Sequence, residues 1–298
     1  LNSALLNPGD SAVIFRPYYS QYVPQVELSE GKPMFMDYNE EEGWNIDTDE
    51  LRKQVKKLNG KKNIKYIMIT NPNNPTGTVL SRDVLEEVVD LANEHGLLIV
   101  SDEIYDEIVY NKAKFTSMCE LAKGVPHIIF NGASKVFDAT GFRIGFTLIP
   151  EEDELSMKLK KKFVDYAMVR LSANTPAQYA MVEGLNNVKE HKKAVRSMVR
   201  EIEKRVNFCT DLLNENEYLT TVRPNGAFYI FSRIDLKSLK FNTDKEFVDA
   251  LLNKKYVQIT RGSGFGKPNH IRIVSLAEEK ILEEAVGRIN DFCKASAK

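Results

Sequence analysis

Short apolar runs alternate with amphipathic stretches through the first half of the chain. The runs are rich in β-branched and aromatic residues, and their length is typical of strands buried on both faces. The predicted strands are residues 12–15, 33–36, 64–69, 97–100, 127–130 and 142–148. This alternation predicts an α/β domain with a mostly parallel sheet between covering layers of helices.

The clearest helix in this half is predicted over residues 81–95. Val84, Leu85 and Val88 begin an apolar stripe at helical spacing. Ser81 is a suitable N-cap, and Gly96 stands where a left-handed residue ends many helices. The segment therefore has both its start and its stop signal.

The pattern changes after residue 150. Residues 151–185 and 189–214 are long, charged and helical in spacing. A mixed segment follows, with predicted strands at 218–222, 227–231, 256–260 and 271–275 and helices at 243–253 and 278–293. We expect a large domain over residues 1–185 and a smaller α+β domain over residues 186–298, since one core rarely grows to 298 residues.

Charge and cysteine usage narrow the function classes. The chain has 41 basic and 42 acidic residues, so its net charge of −1 does not favour binding to nucleic acid or to a membrane surface. The three cysteines and four histidines show no metal-ligand spacing. We therefore expect no metal site, and thiols in a reducing, cytoplasmic compartment.

The first residues predict the end of a helix rather than its beginning. Residues 1–6 are helical in character, and Pro8 and Gly9 follow them at once. No initiator Met and no signal-peptide pattern are present. Our expectation is that an N-terminal part of the protein is missing from this chain.

Four polar segments stand at the ends of predicted strands. They read NPNNPTG at 71–77, SDEIY at 101–105, NGASK at 131–135 and TGFRIG at 140–145. In an open α/β sheet, ligands bind beyond the carboxyl ends of the strands, so these segments are expected to converge. Taken alone, two of the central residues have ordinary explanations. Lys135 could be a surface lysine, and Asp102 could be the N-cap of a helix.

The ordered set of segments resembles the fold-type I, class I/II aminotransferases, and the similarity extends over essentially the whole chain. The resemblance implies pyridoxal 5′-phosphate (PLP) as cofactor, with Lys135 as the lysine that holds it and moves the substrate proton. It implies that Asp102 pairs with the pyridine nitrogen and that Tyr105 and Asn74 bind the phenolic oxygen. Tyr19 matches an aromatic stacked on the ring, although plain core packing is its alternative.

The same resemblance assigns the anion-binding residues. Arg143, eight residues after Lys135, matches the arginine that grips the cofactor phosphate, with Ser134 assisting. Gly132 stands where a phosphate-binding Ser is frequent, so its backbone N–H is the expected substitute. Arg272 matches the arginine that binds the substrate carboxylate beside Asn74, with a structural salt bridge as its alternative.

A glycine-rich run, GSGFG at residues 262–266, does not open a helix, because KPN follows it. It therefore does not predict a dinucleotide site, and we interpret it as a turn that shapes the pocket.

Residues 170–178, 231–233 and 261–267 look most similar to the same stretches of microbial and archaeal alanine aminotransferases. This resemblance implies a homodimer that transfers an amino group from alanine to 2-oxoglutarate. Aspartate, aromatic or kynurenine aminotransferase activity stays open, as does a PLP-dependent C–S β-lyase. A non-catalytic fragment that keeps the fold is the alternative from another class.

Overall fold

The computed structural model describes residues 1–58, 62–151 and 153–298 of the chain. In its first half the elements are α1 (Asn2–Leu5), β1 (Ser11–Arg16), α2 (Tyr22–Glu27), β2 (Lys32–Asn39), β3 (Asn45–Ile46), α3 (Thr48–Leu58), β4 (Ile64–Thr70), α4 (Arg82–His95), β5 (Leu98–Asp102), α5 (Met118–Leu121), β6 (His127–Gly132) and β7 (Gly145–Leu148). The second half contains α6 (Glu154–Arg170), α7 (Thr175–Asn186), α8 (Val188–Asn214), β8 (Leu219–Thr221), β9 (Tyr229–Ile234), α9 (Asp244–Lys255), β10 (Thr260–Arg261), β11 (His270–Val274) and α10 (Glu279–Ala295).

Within the described residues, the first seven strands form one sheet in the order β3-β2-β1-β4-β5-β6-β7. The five central strands are parallel, and only the two edge strands run antiparallel. Neighbouring residues of β1 belong to different cores: Val13 packs in the core shared with α4, and Ile14 in the core shared with α6. The predicted α/β fold with a mostly parallel, covered sheet is confirmed.

A second, antiparallel sheet has the order β10-β11-β9-β8. Its apolar face packs in one core with α8, α9 and α10. The smaller α+β unit was predicted with these elements, whereas its boundary at residue 185 stays a prediction.

Local signals account for most element ends. Ser81 caps α4 through its side chain, and Gly96 ends that helix with a φ of +62°. The helical stretch 151–185, of which residue 152 lies outside the described residues, is interrupted. Leu171 has a φ of +76°, and Asn174 caps a new helix in which Pro176 occupies the first turn. Prediction of one continuous helical stretch was therefore wrong.

Two predicted strands were also wrong in extent. Residues 140–142 form a 3-10 turn, so β7 begins only at Gly145. Tyr256 adopts a left-handed conformation as the C-cap of α9, which delays β10 to Thr260. In both cases a turn uses apolar or aromatic residues that the pattern alone assigns to a strand.

Candidate active site

All eight residues singled out by the sequence line one cavity of about 400 Å³. They are Tyr19, Asn74, Asp102, Tyr105, Ser134, Lys135, Arg143 and Arg272. The cavity lies beyond the carboxyl ends of β4, β5 and β6, and Arg272 reaches it from β11 of the second sheet. A neighbouring cavity of about 560 Å³ shares Tyr19 and Asp102 and extends toward residues 1–3.

Asp102 is the last residue of β5 and is paired in register with Thr70 of β4. Its carboxylate accepts a hydrogen bond from the Tyr22 hydroxyl at 2.6 Å and one from the Ile104 N–H at 3.2 Å. Burial raises the pKa of this carboxyl, while the two donors and the charge of Lys135 act in the opposite direction. The residues after Asp102 form a turn and not a helix, so helix capping does not explain it.

Lys135 lies in the turn that follows β6. Its Nζ is 5.4 Å from the ring centre of Phe228 and 5.9 Å from that of Tyr105. Burial lowers the pKa of its amine, the charges of Arg272 and Arg143 lower it further, and Asp102 opposes them. A larger share of neutral amine makes Lys135 a better nucleophile and base than an exposed lysine.

Arg272 on β11 is half-buried between two aromatic rings. Its guanidinium carbon is 4.6 Å from the ring centre of Tyr229 and 4.5 Å from that of Phe265. Its Nη1 donates to Asn74 Oδ1 at 3.0 Å, while its buried Nε has no hydrogen-bond partner among the described residues. Within these residues no carboxylate pairs with Arg272, so the structural salt bridge considered as its alternative is absent there.

The glycine-rich run contributes to this arrangement. Residues 262–265 form a 3-10 turn, and the Phe265 side chain is buried against Arg272. The run therefore acts on the cavity only indirectly, because Phe265 supports Arg272 and is not itself among the residues that line the cavity.

Arg143 is exposed at the mouth of the cavity, just after the 3-10 turn. Its Nη1 donates to the carbonyl of Thr140 at 2.8 Å, and the Thr140 hydroxyl donates to the carbonyl of Ser134 at 2.8 Å. These bonds connect the guanidinium to the turn that carries Lys135.

Gly132 does not offer its amide as we expected. Its N–H already donates to the side chain of Asn131 at 2.7 Å. A Cβ on Gly132 would lie 2.8 Å from both the Ile144 carbonyl oxygen and Gly145 Cα. The close approach of β6 to β7 therefore excludes a Ser here, and the expectation of a free N–H was wrong.

Among the lining residues that the sequence interpretation gave no role, three hydroxyl-bearing side chains lie outside its motifs: Tyr22, Thr70 and Tyr229. The Tyr22 hydroxyl lies 2.9 Å from the Thr70 hydroxyl as well as bonding Asp102. Tyr229 shares a hydrogen bond of 2.8 Å with Tyr105. One signal was available: Tyr22 stands only three residues after Tyr19, at the start of α2, and the two rings meet edge-on with centres 5.5 Å apart.

Other kinds of site receive no support in the described ranges. They contain no group of three or more His, Cys, Asp or Glu side chains arranged to hold a metal ion. Nor does any helix found there combine the length and apolar character required to cross a bilayer.

Comparison with known proteins agrees with this geometry. The sequence model of the family described as aminotransferase class I and II matches residues 1–289. The glutamate-pyruvate aminotransferase AlaA of Haemophilus influenzae is 34% identical over 291 residues, covering 97% of this chain and 70% of that protein. Curated relatives are covered over 66% to 73% of their own length.

Solved aminotransferase structures also match nearly the whole chain. The alanine aminotransferase from Pyrococcus furiosus has a TM-score of 0.91 and 36% identity, with 99% of this chain and 72% of that one covered. The aromatic aminotransferase from Pyrococcus horikoshii has a TM-score of 0.88 and 34% identity, with coverage of 98% and 75%.

Proposed function

Because the chain belongs to the class I and II aminotransferases, a family that is generally PLP-dependent, we propose that it binds PLP in the cavity around Lys135 and transfers amino groups. The observation that carries the proposal is the meeting of an amine of lowered pKa, a half-buried carboxylate and an incompletely bonded arginine in one 400 Å³ space. Bound PLP would supply an electron sink for the bond broken at the substrate carbon.

The residues present fit that cofactor. Asp102 would pair with the pyridine nitrogen, whose positive charge counteracts the burial that raises the pKa of the carboxyl. Arg143 and Ser134 would hold the phosphate, for which a guanidinium fork is suited. Tyr105 and Asn74 would donate to the phenolic oxygen, and Tyr19 would cover the ring.

Lys135 would bind the cofactor aldehyde covalently through Nζ. With an amino acid bound in the cavity, the Lys135 amine would be placed to take the proton from the substrate α-carbon and to hold it on Nζ. The lowered pKa of Lys135 matters here, because only the neutral amine can accept a proton.

Arg272 would bind the substrate α-carboxylate, and Asn74 would orient both the guanidinium and the substrate. The hydrogen bond to Asn74 and the two flanking rings fix the plane of the guanidinium before the substrate arrives. The absence of a carboxylate partner for Arg272 among the described residues supports this role, because its charge stays available to a substrate.

We propose alanine as amino donor and 2-oxoglutarate as acceptor. The support is the printed names of relatives, alanine and glutamate-pyruvate aminotransferases, at 34% and 36% identity. Aspartate and aromatic or kynurenine substrates are the alternatives on the same scaffold, and a C–S β-lyase would use the same lysine and carboxylate.

The experiment is a visible spectrum of the purified protein loaded with PLP. L-Alanine should bleach the band of the lysine-bound cofactor, and 2-oxoglutarate should restore it. Pyruvate released without any 2-oxo acid would indicate the lyase. A protein that gives no cofactor band would contradict the proposal and favour the non-catalytic alternative.

A homodimer and a cytoplasmic location complete the proposal. The dimer is supported by exposed apolar side chains at the end of α6, where Val169 and Leu171 are 85% and 88% exposed. The location is supported by two buried free thiols, Cys209 and Cys293, which suit a reducing compartment.

A further inference from the structure

Tyr105 and Tyr229 form a buried pair of phenols beside the cavity. Their hydroxyl oxygens are 2.8 Å apart, and the ring centres are 5.7 Å apart with the ring planes at 84°. Both side chains are at least 95% buried. Tyr105 follows β5 of the large sheet and Tyr229 lies on β9 of the small sheet, so the bond connects the two sheets.

Tyr229 also contacts the arginine of the site. The Arg272 guanidinium carbon lies 4.6 Å from the centre of the Tyr229 ring. One residue therefore contacts Tyr105 through its hydroxyl and Arg272 through its ring face. Few side chains can do both, because the contacts use different parts of the phenol.

The direction of the hydrogen bond follows from counting protons. Each hydroxyl has one proton to donate. If Tyr105 donates to the phenolic oxygen of PLP, the bond between the two tyrosines must run from Tyr229 to the Tyr105 oxygen. A hydroxyl that accepts one bond is polarised and donates a stronger one.

We propose that Tyr229 is a positioning residue, which directs the Tyr105 proton toward the cofactor and supports the Arg272 guanidinium through its ring. This inference rests on the proposed function. It deepens that function by assigning one side chain to both the cofactor contact and the substrate contact. Tyr229 lies outside the sequence motifs at 71–77, 101–105, 131–135 and 140–145.

Charged groups and one further phenol face the two tyrosines. The direction of the expected pKa change follows from the hydrogen bond to the phenolic oxygen. Asp102 and Arg272 face Tyr105, and Arg272 and Tyr19 face Tyr229, while Lys135 lies across the Tyr105 ring. A donor to the phenolic oxygen stabilises the more negative state of the lysine-bound cofactor, the state without a proton at the linkage nitrogen. Weakening that donor should therefore raise the pKa of the linkage.

The test is a spectrophotometric pH titration of the PLP-loaded protein. Tyr229→Phe should raise the linkage pKa by roughly half a unit, and Tyr105→Phe should raise it further. The double variant should titrate like Tyr105→Phe alone, because Tyr229 acts through Tyr105. Tyr229→Leu, which also removes the ring, should increase KM for the amino acid more than Tyr229→Phe does.

Tyr110→Phe is the matched control. Tyr110 is another buried tyrosine, whose hydroxyl donates to the Gly226 carbonyl at 2.9 Å. It should leave the linkage pKa unchanged. A Tyr229→Phe protein that titrates like the wild type, or shifts that add in the double variant, would overturn the inference alone. A wild type without any cofactor band would refute the proposed function and this inference with it.

Discussion

Replacing Arg272 by Lys removes the guanidinium fork but keeps its positive charge. The charge matters because it contributes to the lowered pKa of Lys135, and an Ala variant would alter that as well. A lysine ammonium is a compact point charge and cannot grip a carboxylate through two parallel N–H bonds. We expect the Asn74 side chain and the rings of Tyr229 and Phe265, which surround Arg272, to keep their positions around the lysine side chain of the variant.

The magnitude follows from the bonds lost. A hydrogen bond between charged groups contributes about 1.5–3 kcal/mol. A guanidinium fork can make two parallel bonds to a carboxylate and an ammonium one, so we expect the variant to lose one of two charge-assisted bonds. The ratio kcat/KM should then fall about 10- to 150-fold.

The assay compares both half-reactions by stopped-flow absorbance. The α-carboxylate is common to the amino acid and the 2-oxo acid, so kcat/KM should fall by a similar factor for both. The control is Arg261→Lys, an exposed arginine on the neighbouring strand β10, which should change neither. A change of less than threefold in the Arg272→Lys protein, or a loss confined to one half-reaction, would refute the reasoning.

Three further predictions concern stability and assembly. Gly132→Ser should lower the free energy of unfolding by about 1–3 kcal/mol, measured by urea titration, whereas Gly141→Ser, whose Cβ would meet nothing within 4 Å, should not. Burial raises the pKa of Asp106 to about 6 in the folded chain, so this carboxyl reduces stability as pH rises from about 4 to 6. Asp106→Asn should therefore melt above the wild type at pH 7 and lose that advantage near pH 4; a difference in melting temperature that does not change with pH would contradict this. Val169→Lys should weaken self-association in sedimentation velocity; an unchanged dimer would show that this end of α6 lies outside the interface.

The positions of the parallel strands and of the six cavity residues in the strand-end motifs followed from sequence, whereas Tyr19 and Arg272 were assigned through the family resemblance. Each strand end combined a buried apolar run with a polar motif, and parallel topology brings such ends together. The hydrogen bonds that those residues make to other side chains around the cavity could not be predicted from the sequence. Tyr22 meets Asp102 across 80 positions of sequence, and Tyr229 meets Tyr105 across 124. No local pattern encodes such long-range hydroxyl pairs.

The sequence also did not predict the backbone conformation and hydrogen bonding at two positions. The engaged amide of Gly132 depends on the Asn131 side chain folding back on its own strand. The break between α6 and α7 depends on Leu171 taking a positive φ that residues with side chains rarely adopt. Both the bonded Gly132 amide and the Leu171 conformation result from tertiary packing, which single-residue propensities do not describe.

The central claim is that Lys135 holds the cofactor, and borohydride reduction tests it most directly. The PLP-loaded protein is reduced, digested and examined by mass spectrometry, with the exposed Lys254→Ala as control and Lys135→Ala as the decisive variant. The account predicts a single pyridoxyl adduct on the peptide containing Lys135, present in the control and absent from Lys135→Ala. An adduct on another lysine of the wild type, or an undiminished visible band in Lys135→Ala, would contradict it.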